Sequence, residues 1–320
     1  MKIVVAGAGS FGTAMAIALS NGGADVTLLG RDKAAILEAE RSRTMPRPEG
    51  CDLPAGLSLS SDPATMEDAR IVLICVPAQA LGRFLSDHEV NLGQAALVAC
   101  CKGIDLATLT GPTELISSAI GGQSPSILTG PSFAADIARG LPTALTLACT
   151  DAALGTWLQD ALSTPTLRLY RSEDPLGAEL GGALKNVVAI ACGTCIGAGL
   201  GDSARAALMT RGFSEMQRVA GELGAKPETL TGLSGLGDLA LTCTSDLSRN
   251  YRFGISIGRG VRPEDGTTVE GRHTARAITK LARKLDIDLP VMTAVDGLVA
   301  GRITVGAAMD QLLARPLRAE

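Results

Sequence analysis

The chain has 320 residues, of which 46% are hydrophobic, 19% charged and only 2% aromatic; it carries 38 glycines and a formal net charge of −4. This length suits two domains of ordinary size, with cores built from Ala, Val, Leu and Ile rather than rings. Acids and bases are interspersed, so nucleic acid is not an expected partner. His88 and His273 are the only histidines, which argues against a histidine-rich metal centre, and no metal is expected.

No charge follows Lys2 until Asp25, a leader-like pattern. However, Gly7, Gly9 and Gly12 are regularly placed within the run and Asn21-Gly22-Gly23 ends it, so a strand, a tight turn and a helix explain it better. Strands are expected at Lys2–Ala6, Asp25–Leu29, Arg70–Val76, Ala95–Cys101, Ser126–Thr129 and Thr143–Cys149, with a last one near the edge at Thr166–Tyr170. These are continuous apolar runs without alternation, the mark of strands buried on both faces of a mainly parallel sheet. A helix is expected from Ser10 to Ser20. Beyond Asp174-Pro175 the pattern turns helical: Leu180, Leu184, Val187 and Ala191 fall at helical spacing, and further helices are expected over 204–223, 274–285 and 290–300. The boundary is set at 175, giving domains 1–175 and 176–320. The uncharged run between Lys185 and Asp202 is shorter than the ~20 residues that span a bilayer, so no transmembrane segment is expected.

Eight cysteines, Cys51, Cys75, Cys100, Cys101, Cys149, Cys192, Cys195 and Cys243, sit mostly inside apolar runs. They read as small hydrophobes in a reducing, cytoplasmic setting rather than a disulfide framework. Cys192-Gly-Thr-Cys195 has redox spacing, but two small residues one helical turn apart is the simpler reading.

Gly7-Ala8-Gly9-Ser10-Phe11-Gly12 is a G-x-G-x-x-G array between the first strand and the first helix. There the first glycine permits the turn, the second admits a pyrophosphate, the third lets helix and strand pack, and the helix N-terminus favours the anion. The expected fold is therefore α/β: an N-terminal Rossmann-type, mainly parallel sheet domain that binds a dinucleotide, followed by an all-α C-terminal domain for substrate and catalysis. At the end of the second strand stand Arg31 and Asp32. A basic residue there tolerates a 2′-phosphate and an acid binds a ribose hydroxyl, so NADP(H) is favoured and NAD(H) stays open.

Five further segments occur in order: Gly130-Pro131-Ser132-Phe133-Ala134; 177–187, which ends Ala183-Leu184-Lys185-Asn186-Val187; 201–207; 232–250, from Gly232-Leu233-Ser234-Gly235 to Ser248-Arg249-Asn250; and Val269-Glu270-Gly271. With the glycine array, the set resembles the bacterial-type NAD(P)-dependent glycerol-3-phosphate dehydrogenases over almost the whole chain. The resemblance implies interconversion of dihydroxyacetone phosphate and sn-glycerol 3-phosphate, supplying phospholipid synthesis, by a cytoplasmic homodimer.

It also implies roles. Lys185 is the general acid and base at the C2 oxygen, a task that suits lysine because burial disfavours its charged form. Asp238 is the catalytic carboxylate near it, which orients Lys185 and holds a substrate hydroxyl. Ser248, Arg249 and Asn250 hold the phosphate, with Arg249 giving bidentate, always-charged recognition. Lys102, Gly130 and Ser132 complete the substrate set together with Lys185 and Asp238. The cofactor set is Gly7, Gly9, Ser10, Phe11, Gly12, Arg31, Lys102, Ala134, Arg249 and Glu270. The site is expected between the domains. Three positions depart from the family pattern: Ser203 stands for a usual Asn, Phe11 for a frequent Trp and Asp136 for a common Glu. None touches the proposed chemistry.

Two other readings remain at this point. Another β-hydroxyacid or 6-phosphogluconate-like dehydrogenase would share the architecture but lack the 248–250 phosphate motif. A non-catalytic nicotinamide sensor would keep Gly7, Gly9 and Gly12 without needing Lys185 and Asp238.

Overall fold

A computed structural model describes residues 1–121, 124–261 and 268–314. The chain divides into two compact units. One comprises Met1–Lys102 and Thr110–Glu179, the other Gly103–Leu109 and Leu180–Glu320.

The first unit is an eight-stranded sheet flanked by helices. Its strands are β1 (Lys2–Ala6), β2 (Asp25–Leu29), β3 (Ser58–Ser60), β4 (Ile71–Ile74), β5 (Ala96–Ala99), β6 (Ser126–Thr129), β7 (Thr143–Ala148) and β8 (Leu167–Ser172), in the order β3-β2-β1-β4-β5-β6-β7-β8. Every neighbouring pair is parallel except β6 and β7. Alternate residues serve opposite faces: Ile3, Val5, Ile71 and Leu73 enter one core cluster, while Val4, Ala6, Val72 and Ile74 enter the other. Burial on both sides is why these strands read as unbroken apolar runs. The sequence reading missed β3, whose Ser-Leu-Ser is short, largely polar and at the sheet edge. The chain runs outward from β1 through β2 to β3 and then returns to β4 on the other side of β1. The β1/β4 crevice is therefore the switch point where such sheets bind ligands.

The second unit contains helices and no strand among its described residues. It is organised on the Pro175–Gly197 helix, 23 residues long, which belongs to this unit from Leu180 onward. The helix starts earlier than the uncharged run suggested and is long and apolar enough to cross a membrane, but 89% of its most apolar window is buried inside the structure. Its glycines set the packing. Gly193 and Gly197 lie on the backbones of Tyr251 and Ile255, while Gly254 and Gly258, on the Arg249–Gly258 helix, lie on the carbonyls of Ile190 and Thr194. A Cβ at any of the four would collide with main chain. Two glycines spaced one turn apart on each helix thus bring the two backbones into contact.

Glu215 joins two further helices of this unit. It projects from the Gly201–Glu222 helix and is 3% exposed. Its carboxylate accepts from Val291 N at 2.7 Å and Met292 N at 3.0 Å, at the start of the Pro290–Val299 helix. Loss of solvent outweighs these backbone bonds and raises its pKa from 4.5 to about 7. An acid whose pKa is higher folded than unfolded contributes its full stability below the unfolded value and loses it as pH rises to the folded one. Thermal denaturation should therefore show stability falling between about pH 4.5 and 7. Glu215→Gln should flatten the fall by on the order of 3 kcal/mol; an unchanged pH slope in that variant would refute the assignment.

Candidate active site

In the first unit, the turn after β1 has the form a dinucleotide needs. Gly7 has φ +121°, and a Cβ there would lie 2.6 Å from the Cys75 carbonyl oxygen. At Gly12 a Cβ would strike the Gly7 carbonyl. Gly9 is the opposite case: it is exposed, and a Cβ would meet nothing within 4 Å. It precedes the Ser10–Asn21 helix, and no side chain caps that helix start. The residues thus fit a pyrophosphate, with open space above Gly9 and backbone N–H groups behind it. Phe11 packs on the sheet core, as does Ala134, which opens the short Ala134–Ala138 helix against the Ser10–Asn21 helix.

At the end of β2 the two candidate cofactor determinants separate. Asp32 Oδ1 accepts from Ala34 N at 3.0 Å and Ala35 N at 3.1 Å, capping the Lys33–Ser42 helix. Arg31 beside it is exposed.

Beyond β5 and β6, three of the anticipated residues come together. Lys102 Nζ donates to Gly130 O at 3.1 Å, and Ser132 Oγ donates weakly to the same oxygen at 3.4 Å. Gly130 holds φ +141°. The cluster lies past the carboxyl ends of two parallel strands.

In the second unit, Lys185 is 7% and Asp238 1% exposed. Lys185 Nζ lies 3.0 Å from Asp238 Oδ1 and donates to Thr242 Oγ1 at 2.7 Å. Thr242 Oγ1 donates in turn to Asp238 Oδ1 at 3.3 Å. A π-type turn, Leu233–Gly237, leads directly into the Asp238–Thr244 helix, where Asp238 and Thr242 stand one turn apart on one face. Such turns recur at functional sites. The result is a buried ammonium held by a carboxylate and a hydroxyl.

The neighbouring residue faces another helix. Asn186 Oδ1 accepts from Asn250 Nδ2 at 2.8 Å, and Asn250 Oδ1 accepts from Gly271 N at 3.0 Å. Glu270 opens the Glu270–Leu285 helix. Ser248 is the buried N-cap of the Arg249–Gly258 helix, its Oγ accepting from Tyr251 N at 3.2 Å. Arg249 is exposed in the first turn. A guanidinium at a helix N-terminus suits a phosphate dianion. Consecutive residues of one helix, Lys185 and Asn186, thus key the ammonium cluster and the Arg249–Gly258 helix.

The sequence reading gave no role to Thr242 or Asn186. The available signals were the four-residue spacing from Asp238 to Thr242 and an amide inside an otherwise apolar helix. The Cys192/Cys195 redox reading gains no support. Both thiols are buried, they face the carbonyls of Arg205 and Gly201 at 3.8 Å, and burial pushes the Cys195 thiol up; such thiols are inert. Among the described residues no group of three or more His, Cys, Asp or Glu side chains could hold a metal ion.

Comparison with known proteins bears on the family of the whole chain. Residues 2–155 match the family model for the N-terminus of NAD-dependent glycerol-3-phosphate dehydrogenase, and residues 174–310 match the model for its C-terminus. The chain is 55% identical over 320 residues to glycerol-3-phosphate dehydrogenase [NAD(P)+] of Paracoccus denitrificans, covering 100% of both chains. It is 57% identical over 318 residues to the protein of that name from Cereibacter sphaeroides, covering 99% of this chain and 100% of the relative. A crystal structure of glycerol-3-phosphate dehydrogenase from Coxiella burnetii superposes with a TM-score of 0.93 at 33% identity, covering 98% of this chain and 99% of that one. With both of its halves matched in order, the chain belongs to the NAD-dependent glycerol-3-phosphate dehydrogenase family.

Proposed function

We propose that this protein interconverts dihydroxyacetone phosphate and sn-glycerol 3-phosphate, using NADP(H) in preference to NAD(H), and so supplies glycerol 3-phosphate for phospholipid synthesis. The observation that carries this reading is the buried Lys185–Asp238–Thr242 cluster. A plain dinucleotide sensor has no use for a desolvated ammonium fixed by two partners. Lys185 gives its proton to the C2 oxygen during reduction and takes it back during oxidation. Asp238 and Thr242 fix the direction of the ammonium, and Asp238 balances its charge. Arg249 and the N-terminus of its helix, with Asn250 and Ser248 behind them, hold the substrate phosphate. Lys102, Gly130 and Ser132 contribute the polar contacts of the first unit. Gly7, Gly9, Ser10, Phe11, Gly12, Arg31 and Ala134 bind the dinucleotide in that unit, and Arg249 and Glu270 complete its set. When bound, the dinucleotide supplies or accepts the hydride.

Arg31 carries the cofactor preference, because Asp32 is engaged as a helix cap. Initial rates with dihydroxyacetone phosphate should favour NADPH over NADH, and Arg31→Gln should reduce that preference by about 10-fold, as expected for one charged contact. An unchanged ratio would remove Arg31 from the reading. The same reading places a homodimer in the cytoplasm; its eight free cysteines suit a reducing compartment.

A further inference from the structure

Two thiols that the proposed reaction leaves unused lie beneath the dinucleotide loop. Cys75 follows β4 and Cys100 follows β5. The parallel register ends at Ile74 opposite Ala99, and Cys100 N donates to Ile74 O at 2.9 Å, so the next opposed pair is Cys75 and Cys100. Leu73, Val98 and Cys100 belong to one core cluster and Cys75 packs on it, so both thiols stand on one face of the sheet. Adjacent strands lie about 4.7–4.9 Å apart, inside the ~4.4–6.8 Å Cα separation that a disulfide spans. Cys100 Sγ donates to Val98 O at 3.7 Å, and the Cys75 thiol beside it pushes the Cys100 thiol up. Cys75 is partly exposed, while Cys100 is buried. Cys192 and Cys243 also touch, but both are fully buried.

We propose that Cys75 and Cys100 form an oxidation site at which a hydroperoxide creates a disulfide that lowers the affinity of the neighbouring loop for its dinucleotide. The Cys75 sulfur attacks a peroxide oxygen, the O–O bond breaks, and Cys75 becomes a sulfenic acid as water leaves with the thiol proton. The Cys100 sulfur then attacks the Cys75 sulfur, the S–O bond breaks, and a second water carries away the Cys100 proton. The thiols lose two electrons and two protons, and hydrogen peroxide becomes two waters. The order of attack follows first from access, Cys75 being partly exposed and Cys100 buried, and then from the neighbouring Cys75 thiol and burial, which push the Cys100 thiol up. Closing the sulfurs to the ~2.05 Å of a disulfide moves the residue on which the loop is packed. A Cβ on Gly7 would lie 2.6 Å from the Cys75 carbonyl oxygen, and one on Gly12 would lie 3.0 Å from the Cys75 Cβ.

The affinity change rests on the dinucleotide reading of the loop, whereas the cross-link does not. The test treats the full chain with hydrogen peroxide and then reads intact mass, disulfide-linked peptides and NADPH affinity by fluorescence titration. Binding of NADPH by the reduced protein checks the loop reading separately. Expected are a Cys75–Cys100 linked peptide, a loss of two hydrogens and an NADPH affinity at least about 10-fold weaker, restored by dithiothreitol. Cys100→Ser should remove both the link and the reversible loss; Cys100→Ala serves if the serine variant folds poorly. A link between any other pair, no link at all, or a linked protein that binds NADPH as tightly as the reduced one overturns the proposal.

Discussion

Replacing Lys185 by alanine is expected to lower kcat for dihydroxyacetone phosphate reduction by about 10²–10⁴-fold, the usual worth of a positioned general acid. NADPH binding should be unchanged, because Lys185 is not among the residues proposed to bind the dinucleotide. Steady-state kinetics and a fluorescence titration on the same preparation separate the two effects. Thr242→Val should give a smaller loss in kcat with little change in KM, since Thr242 acts by orienting the ammonium through its 2.7 Å bond. Thr242→Ser should recover most of the loss. A Lys185→Ala enzyme with near-normal kcat would remove the acid/base assignment.

The second large effect concerns the helix pair beneath the site. Gly254→Val is expected to destabilise the protein by about 3 kcal/mol or more, at or above the upper end of the cost of overpacking. The obstacle is main chain: a Cβ at Gly254 would meet the Ile190 carbonyl and lie 2.9 Å from Thr194 N, neither of which can turn aside as a side chain can. Relief requires the two helices to part, which would carry Arg249 and Asn250 away from Asn186. Urea denaturation should show the lower midpoint, and activity should fall even under conditions where the variant is folded. A loss of less than about 1 kcal/mol would mean that this contact is not the one that sets the packing.

Much of the first unit was legible because its strands are buried on both faces. Val4, Val72 and Val98 sit in runs with no alternation, and the turn glycines lie where β1 meets the first helix. β3 was not legible, since Ser58-Leu59-Ser60 pairs at one edge only and has no apolar run to betray it. The meeting of Lys185 with Asp238 came from family resemblance rather than from spacing; 53 positions separate them, and only the fold makes them a pair. Thr242 was missed although its position on the Asp238 face follows from helical period alone. Asp32 illustrates the converse. Its identity suggested ribose binding, but local geometry uses one carboxylate oxygen to cap a helix.

The most direct test of the central claim is product formation by the purified chain supplied with NADPH and dihydroxyacetone phosphate. The account predicts that each NADPH consumed yields one glycerol 3-phosphate, and that unphosphorylated dihydroxyacetone reacts far more slowly because Arg249 and its helix lose the anion they bind. No consumption of NADPH or NADH with the phosphorylated ketone, or equal rates with and without the phosphate, would contradict it.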